Sequence, residues 1–205
     1  EKFWAAAKAG KSGIRTPTLF DGSKLPRECQ MVGEVRDFNP RDWVSSQTVK
    51  VAGRFSQFAV AAAKMALKDS SLESSEIEPE RFMVSMGTSM SGLVDIEHSN
   101  FLSFLRGEEM RPWTVLEYPG HAATSHVAIS VGARGQTASI ATACAAGIDA
   151  VGWAAEKVSR NKATVVLAGA TETPLAAASI EAFRALGALS SWSDRLQKQA
   201  APSTS

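Results

Sequence analysis

The sequence has 205 residues, 44% of them hydrophobic, which is enough to bury a core and, by usual domain sizes, to form one domain or at most two. Its 22 basic and 21 acidic residues leave a formal charge of +1 and are scattered, so neither nucleic acid nor an acidic surface is called for as a partner. The longest apolar stretches, at 59–63 and 163–170, fall far short of the roughly 20 residues that span a bilayer, so no membrane span is expected.

The first residues, Glu1-Lys2-Phe3-Trp4, hold neither a basic leader nor a small-residue cleavage site, and no signal peptide is read there. The missing initiator Met reads as a truncated start. As far as Ser46 the chain is rich in Gly, Pro, Lys and Arg, with Thr16-Pro17, Leu25-Pro26 and Asn39-Pro40 each pushing the preceding residue out of helical geometry. Surface loops around a short initial helix are expected. Over 54–68, Phe55, Phe58, Ala59, Ala62, Met65 and Ala66 recur at three- and four-residue steps between Gln57, Lys64 and Lys68, which predicts an amphipathic helix. Residues 81–87 are apolar and stopped by Gly, as in a buried strand, and lead through Thr88-Ser89-Met90-Ser91-Gly92 toward a second helix. Helix is expected again at 120–131, a turn at Gly132-Ala133-Arg134-Gly135, and a strand at 136–142. A helix follows from at or near Cys144 to 160, then a strand at 163–168 buried on both faces. Alternation of strands and helices makes the class α/β. The tail from 190 to 205 loses its apolar period.

Cys29 and Cys144 stand far apart and suggest neither a disulfide framework nor a zinc cluster. A reducing, cytoplasmic compartment is expected. Cys29 lies in a polar setting with no helix start beside it and reads as incidental. In Gln136-Thr-Ala-Ser-Ile-Ala-Thr-Ala-Cys144-Ala-Ala-Gly147 a strand turns directly into a helix, with small residues on both sides of the thiol. Backbone N–H groups and the positive end of a helix dipole favour a thiolate there. The same groups can donate to the oxyanion formed when a thioester carbonyl is attacked. On local pattern alone Cys144 is equally a small buried apolar side chain.

The segment Thr142-Ala143-Cys144-Ala145-Ala146-Gly147 resembles the active-site motif of the β-ketoacyl-acyl-carrier-protein synthases, the elongating condensing enzymes of fatty-acid and polyketide synthesis. Its neighbours agree in order: Lys11-Ser12-Gly13-Ile14, Arg54-Phe55-Ser56-Gln57-Phe58-Ala59, Gly87-Thr88-Ser89-Met90-Ser91-Gly92, Leu167-Ala168-Gly169-Ala170-Thr171-Glu172 and Phe183-Arg184-Ala185-Leu186-Gly187-Ala188-Leu189-Ser190. The resemblance covers nearly the whole chain and implies a thiolase-like fold, two α/β halves stacked in five αβαβα layers. Residues 1–205 would be an incomplete first half, truncated at both ends. It further implies that Cys144 takes an acyl group from acyl carrier protein as a thioester and elongates it with malonyl carrier protein, losing carbon dioxide. Met90 falls at the floor of the acyl pocket and Phe183 at an aromatic gate beside the cysteine, although ordinary core packing would account for either residue.

The resemblance implies no metal or organic cofactor beyond the phosphopantetheine arm of the carrier. A homodimer is expected, paired near 136–142. The family's two assisting histidines lie in the second half and are not among these residues, so the chain alone is expected not to condense. His98, His121 and His126 show no triad spacing; His121 and His126 are expected to cap or line a helix, and His98 to sit on a helix surface. Ala145-Ala146-Gly147 after the cysteine points to the discrete fatty-acid type. A modular polyketide or thiolase-type enzyme, and a non-catalytic remnant, remain the alternatives. Trp4, Trp43, Trp113, Trp153 and Trp192 share no motif and are expected to pack.

Overall fold

The computed structural model describes residues 2–93, 102–110 and 112–190. In chain order its helices are α1 (Lys2–Lys8), α2 (Ser46–Val51), α3 (Arg54–Ser70), α4 (Leu102–Leu105), α5 (Thr114–Glu117), α6 (Ala122–Val131), α7 (Ala146–Ser159) and α8 (Ala177–Ala185). The strands are β1 (Phe82–Gly87), β2 (Thr137–Ile140) and β3 (Val165–Ala170). Two compact units result, Asn39–Thr173 and, separately, Glu1–Phe38 with Pro174–Ser205.

The larger unit is built on a parallel sheet in the order β2-β1-β3, with Val84 opposite Thr137 on one side and Leu167 on the other. Every residue of central β1 is buried, as its apolar run predicts. Strand residues alternate between faces: Val84 and Met86 join Phe55, Ala59, Val60 and Val127 in a core formed with α3 and α6, whereas Gly87 abuts the start of α7. Helices therefore cover both faces of the sheet. β3 differs from its expected two-sided burial. Among the described residues it pairs only with β1 and lies at the edge of the sheet, and its residues alternate between half-buried and exposed toward its end.

Helix α3 begins after Gly53 and ends where Ser71 turns left-handed at φ 56°. Its buried stripe is rotated from the one the apolar spacing predicts: Ser56 and Gln57 are buried and Met65 is exposed. Hydrogen bonds drive the difference, from Ser56 Oγ to Glu117 Oε1 at 2.8 Å and from Gln57 Nε2 to the Ala52 carbonyl at 2.8 Å. Satisfied in this way, the two polar side chains can be buried without a desolvation penalty.

In the smaller unit, Leu25, Cys29, Val32 and Ile180 form a core of their own. Cys29 is only 2% exposed, so its setting is apolar and not the polar one its neighbours in sequence suggest. Proline-shaped loops fold its apolar neighbours together, and the thiol fills the space as a small hydrophobe. α1 buries none of its residues. The tryptophans split: Trp43 packs partly against the main core and Trp153 lies beneath the Lys157 ammonium at 4.8 Å, but Trp4 and Trp113 are exposed, against expectation. Trp192 and His98, with most of the polar tail, lie outside the described residues. Among the described residues no helix is long and apolar enough to cross a membrane, and no group of acidic, His and Cys side chains could hold a metal ion.

Candidate active site

The carboxyl ends of parallel strands gather chain turns at one edge of a sheet, which is where sites form in α/β folds. Here the turns after β1, β2 and β3 carry Met90, Cys144 and Glu172. Thr88 N–H donates to the Ile140 carbonyl at 3.0 Å and Thr171 N–H to the Gly87 carbonyl at 3.1 Å, tying the three strand ends together.

After β2, Thr142 takes an intermediate conformation at φ −105°, ψ 40°, and Ala143 enters the left-handed region at φ 52°. That conformation costs an L-residue roughly 1–2 kcal/mol. It reverses the chain within one residue, so that the single turn Ala143–Ala145 places Cys144 immediately ahead of α7. The thiol is exposed, not buried as a small core side chain. Thr142 Oγ1 donates to Asp149 Oδ2 in the first turn of α7, closing the turn around the cysteine.

Small residues set how close α7 comes to the sheet. A Cβ at Gly87 would lie 2.4 Å from the carbonyl carbon and oxygen of Ala146, and one at Gly147 would lie 3.1 Å from Ala170 Cβ. The start of α7 is thus seated directly on the ends of β1 and β3, with Cys144 at the lip.

The turn after β1 is held differently. Glu172 Oε2 accepts from Ser89 N–H at 2.7 Å, Met90 N–H at 2.7 Å and Thr88 Oγ1 at 3.1 Å. Met90 is half-buried. Phe183 lies on α8 in the other unit and is 42% exposed, so it is not a core side chain there.

The histidines play other parts. His121 stands at the N-cap position of α6 without a side-chain capping bond. His126, within α6, places Nε2 at 3.2 Å from Glu117 Oε1. Glu117 is buried and also accepts from Gly53 N–H at 2.5 Å and Ser56 Oγ at 2.8 Å. His126 is thus engaged in fastening α6 to α3. Sequence reasoning missed Glu117, Asp149 and the clamping role of Glu172, because these are polar ties between elements distant in sequence. Only the place of Glu172 at the end of a strand-like run hinted at its role.

Comparison with known proteins gives matches over nearly the whole chain. The family model "Beta-ketoacyl synthase, N-terminal domain" matches residues 1–202. A 3-oxoacyl-[acyl-carrier-protein] synthase 2 of Coxiella burnetii is 33% identical over 200 residues, 97% of this chain and 48% of that protein. Among solved structures, a β-ketoacyl synthase from Burkholderia phymatum aligns with a TM-score of 0.80 at 27% identity, over 95% of this chain and 48% of that one. The type II polyketide-synthase complex AntDE:AntF, an acyl-carrier protein with its ketosynthase bound to the hexaketide, aligns with a TM-score of 0.67 at 25% identity, over 73% of this chain and 43% of that one. The chain spans about half the length of the relatives it matches.

Proposed function

The chain belongs to the β-ketoacyl synthase family, through its N-terminal domain, and from this premise we propose that Cys144 is its acyl-accepting nucleophile. The observation that carries this reading is the exposed thiol held ahead of α7 by a left-handed alanine. In the proposed step the Cys144 sulfur attacks the thioester carbonyl of an acylated carrier protein. The carrier's sulfur leaves and takes up the proton that Cys144 gives away, and the acyl group stays on Cys144. Malonyl carrier protein then loses carbon dioxide, its carbanion attacks the acyl carbonyl, and the Cys144 thiolate departs from a chain two carbons longer. Two half-reactions through one covalent intermediate predict ping-pong kinetics.

On this reading acyl carrier protein is the partner and brings the phosphopantetheine arm; no other cofactor is needed. A reducing cytoplasm keeps the exposed thiol free. Met90 lines the acyl pocket. The exposed apolar face of α7, with Ile148, Val151 and Val158, is the surface that the second half of a two-half thiolase-like fold would cover. That half would also supply the histidines for decarboxylation. Among the described residues β2 lies at the sheet's edge, which suits pairing with a second copy near 136–142. Fatty-acid elongation is the pathway class favoured by the 3-oxoacyl-acyl-carrier-protein synthase relative. The likeness to a type II polyketide ketosynthase favours polyketide extension as the second reading.

The test is intact-protein mass spectrometry after exposure to octanoyl-carrier protein, with peptide mapping. Wild-type chain should gain one octanoyl group on Cys144, and Cys144→Ala none. Acylation surviving in Cys144→Ala, or mapping to the buried Cys29, would refute the assignment. Faster transfer from a polyketide-type thioester than from octanoyl-carrier protein would select the second reading.

A further inference from the structure

Three donors converge on one oxygen of Glu172, two of them the successive main-chain N–H groups of Ser89 and Met90 and the third the Thr88 hydroxyl. The other oxygen accepts from Thr173 N–H at 3.3 Å. Charge-assisted bonds of this kind are roughly twice as strong as neutral ones, and two consecutive N–H groups on one acceptor fix the peptide planes between residues 88 and 90. The next residues complete the restraint. Ser91 is left-handed at φ 54° and its N–H donates to Thr88 Oγ1 at 3.2 Å. At Gly92 an added Cβ would lie 2.1 Å from the Glu117 carbonyl oxygen. The turn is therefore clamped at its start by the Glu172 carboxylate and at its end by the main chain of Glu117, with half-buried Met90 between.

We infer that Glu172 is a positioning residue that sets acyl-length preference, by fixing the main chain from which the Met90 side chain enters the acyl pocket. The inference rests on the reading of Met90 as the pocket's floor. Glu172 need not touch the acyl chain. Its carboxylate decides where the floor stands, and a floor displaced by the length of a methylene alters discrimination by about tenfold or more.

The experiment measures acylation of Cys144 by butanoyl and octanoyl N-acetylcysteamine thioesters, scored as the ratio of the two rates by intact-mass spectrometry. Glu172→Ala should shift that ratio by about tenfold, with iodoacetamide alkylation of Cys144 unchanged. Glu172→Gln, whose amide oxygen can still accept from Ser89 and Met90, should restore most of the wild-type ratio. Met90→Ala should shift the ratio as well, and should add little in a Glu172→Ala background because the two changes act on one floor. Glu172→Met, which keeps the side chain's bulk, replaces Glu172→Ala if circular dichroism shows the alanine variant unfolded. An unchanged ratio in the Glu172 variants, while Met90→Ala alters it, overturns the inference and leaves the pocket reading standing; so do shifts at the two positions that simply multiply. A ratio untouched by Met90→Ala overturns the pocket reading, and the inference falls with it.

Discussion

Replacing Gly87 by alanine tests whether the close seat of α7 on the sheet builds the site. The new Cβ would lie 2.4 Å from the Ala146 carbonyl carbon and oxygen and 2.8 Å from Gly147 N, the nearer two at least about 1 Å inside ordinary carbon contact. Both partners are main chain, so no side-chain rotation relieves the overlap. Either β1 or the start of α7 must move. Overpacking of this kind typically costs about 1–3 kcal/mol, and with backbone on both sides the upper end, about 3 kcal/mol, is expected, a large share of the roughly 5–15 kcal/mol that holds a domain folded. Displacement of the turn by about 1 Å should also slow octanoyl transfer to Cys144 by about a hundredfold. Gly152 on the same helix is the control, since nothing lies within 4 Å of its added Cβ. Gly152→Ala should gain about 0.5–1 kcal/mol from helix propensity. Urea unfolding and acylation kinetics on both variants decide the matter. A Gly87→Ala chain within about 0.5 kcal/mol of wild type, acylated at the wild-type rate, would show that the close approach does not position Cys144.

Glu117→Ala removes the acceptor shared by Gly53 N–H, Ser56 Oγ and His126 and should cost about 3 kcal/mol in urea unfolding, whereas Glu117→Gln, which keeps an acceptor, should cost about 1 kcal/mol. Equal costs would mean that the space the side chain fills matters and its hydrogen bonds do not. In the smaller unit, burial pushes the Glu34 carboxyl up, but the Thr18 hydroxyl and N–H and the Arg36 guanidinium outweigh it and hold it below the usual glutamate range. A depressed folded-state value contributes stability above the unfolded value and loses it as pH falls through the folded one. Glu34→Gln should therefore be less stable than wild type at neutral pH, and the gap should close on acidification below the usual carboxylate range. A gap that persists into acid would refute the ionic origin.

Where the sequence carries a punctuated signal, a run or turn closed by Gly or Pro, the structure follows it. The apolar run closed by Gly87 is β1, the strand–turn–helix around Cys144 is present, and the α/β class and thiolase-like fold hold. Periodicity misled where a polar group is buried by a distant partner. Ser56 meets Glu117 61 residues away, and Met90 N–H meets Glu172 82 residues away. No local pattern announces such pairs, so the buried stripe of α3 was misplaced and the clamp on the Met90 turn was not foreseen. The polar setting expected of Cys29 fails for a related reason. Its polar neighbours in sequence are not its neighbours in space, where Leu25, Val32 and Ile180 surround it.

The distribution of backbone strain bears on whether the fold is kept for chemistry or only as a scaffold. Among the described residues, four other than glycine have positive φ: Ser71, Ser91, Ala143 and Asn161. Ser71 ends α3 and Asn161 follows α7; helix ends commonly turn left-handed, and asparagine tolerates that region well. The other two have no such excuse, and each borders a candidate site residue, Ser91 beside Met90 and Ala143 beside Cys144. Ala143 is the harder case, because its methyl group offers no side-chain hydrogen bond in return for the strain. A chain retained only for its packing would lose nothing by relaxing that turn through a glycine. The cost makes sense if a side chain at 143 keeps the turn from opening and holds Cys144 at one position, since a nucleophile misplaced by about 1 Å forfeits much of its advantage. Ala143→Gly should then raise or preserve stability while slowing octanoyl transfer to Cys144. A variant that is more stable and equally fast would remove this argument against the scaffold reading.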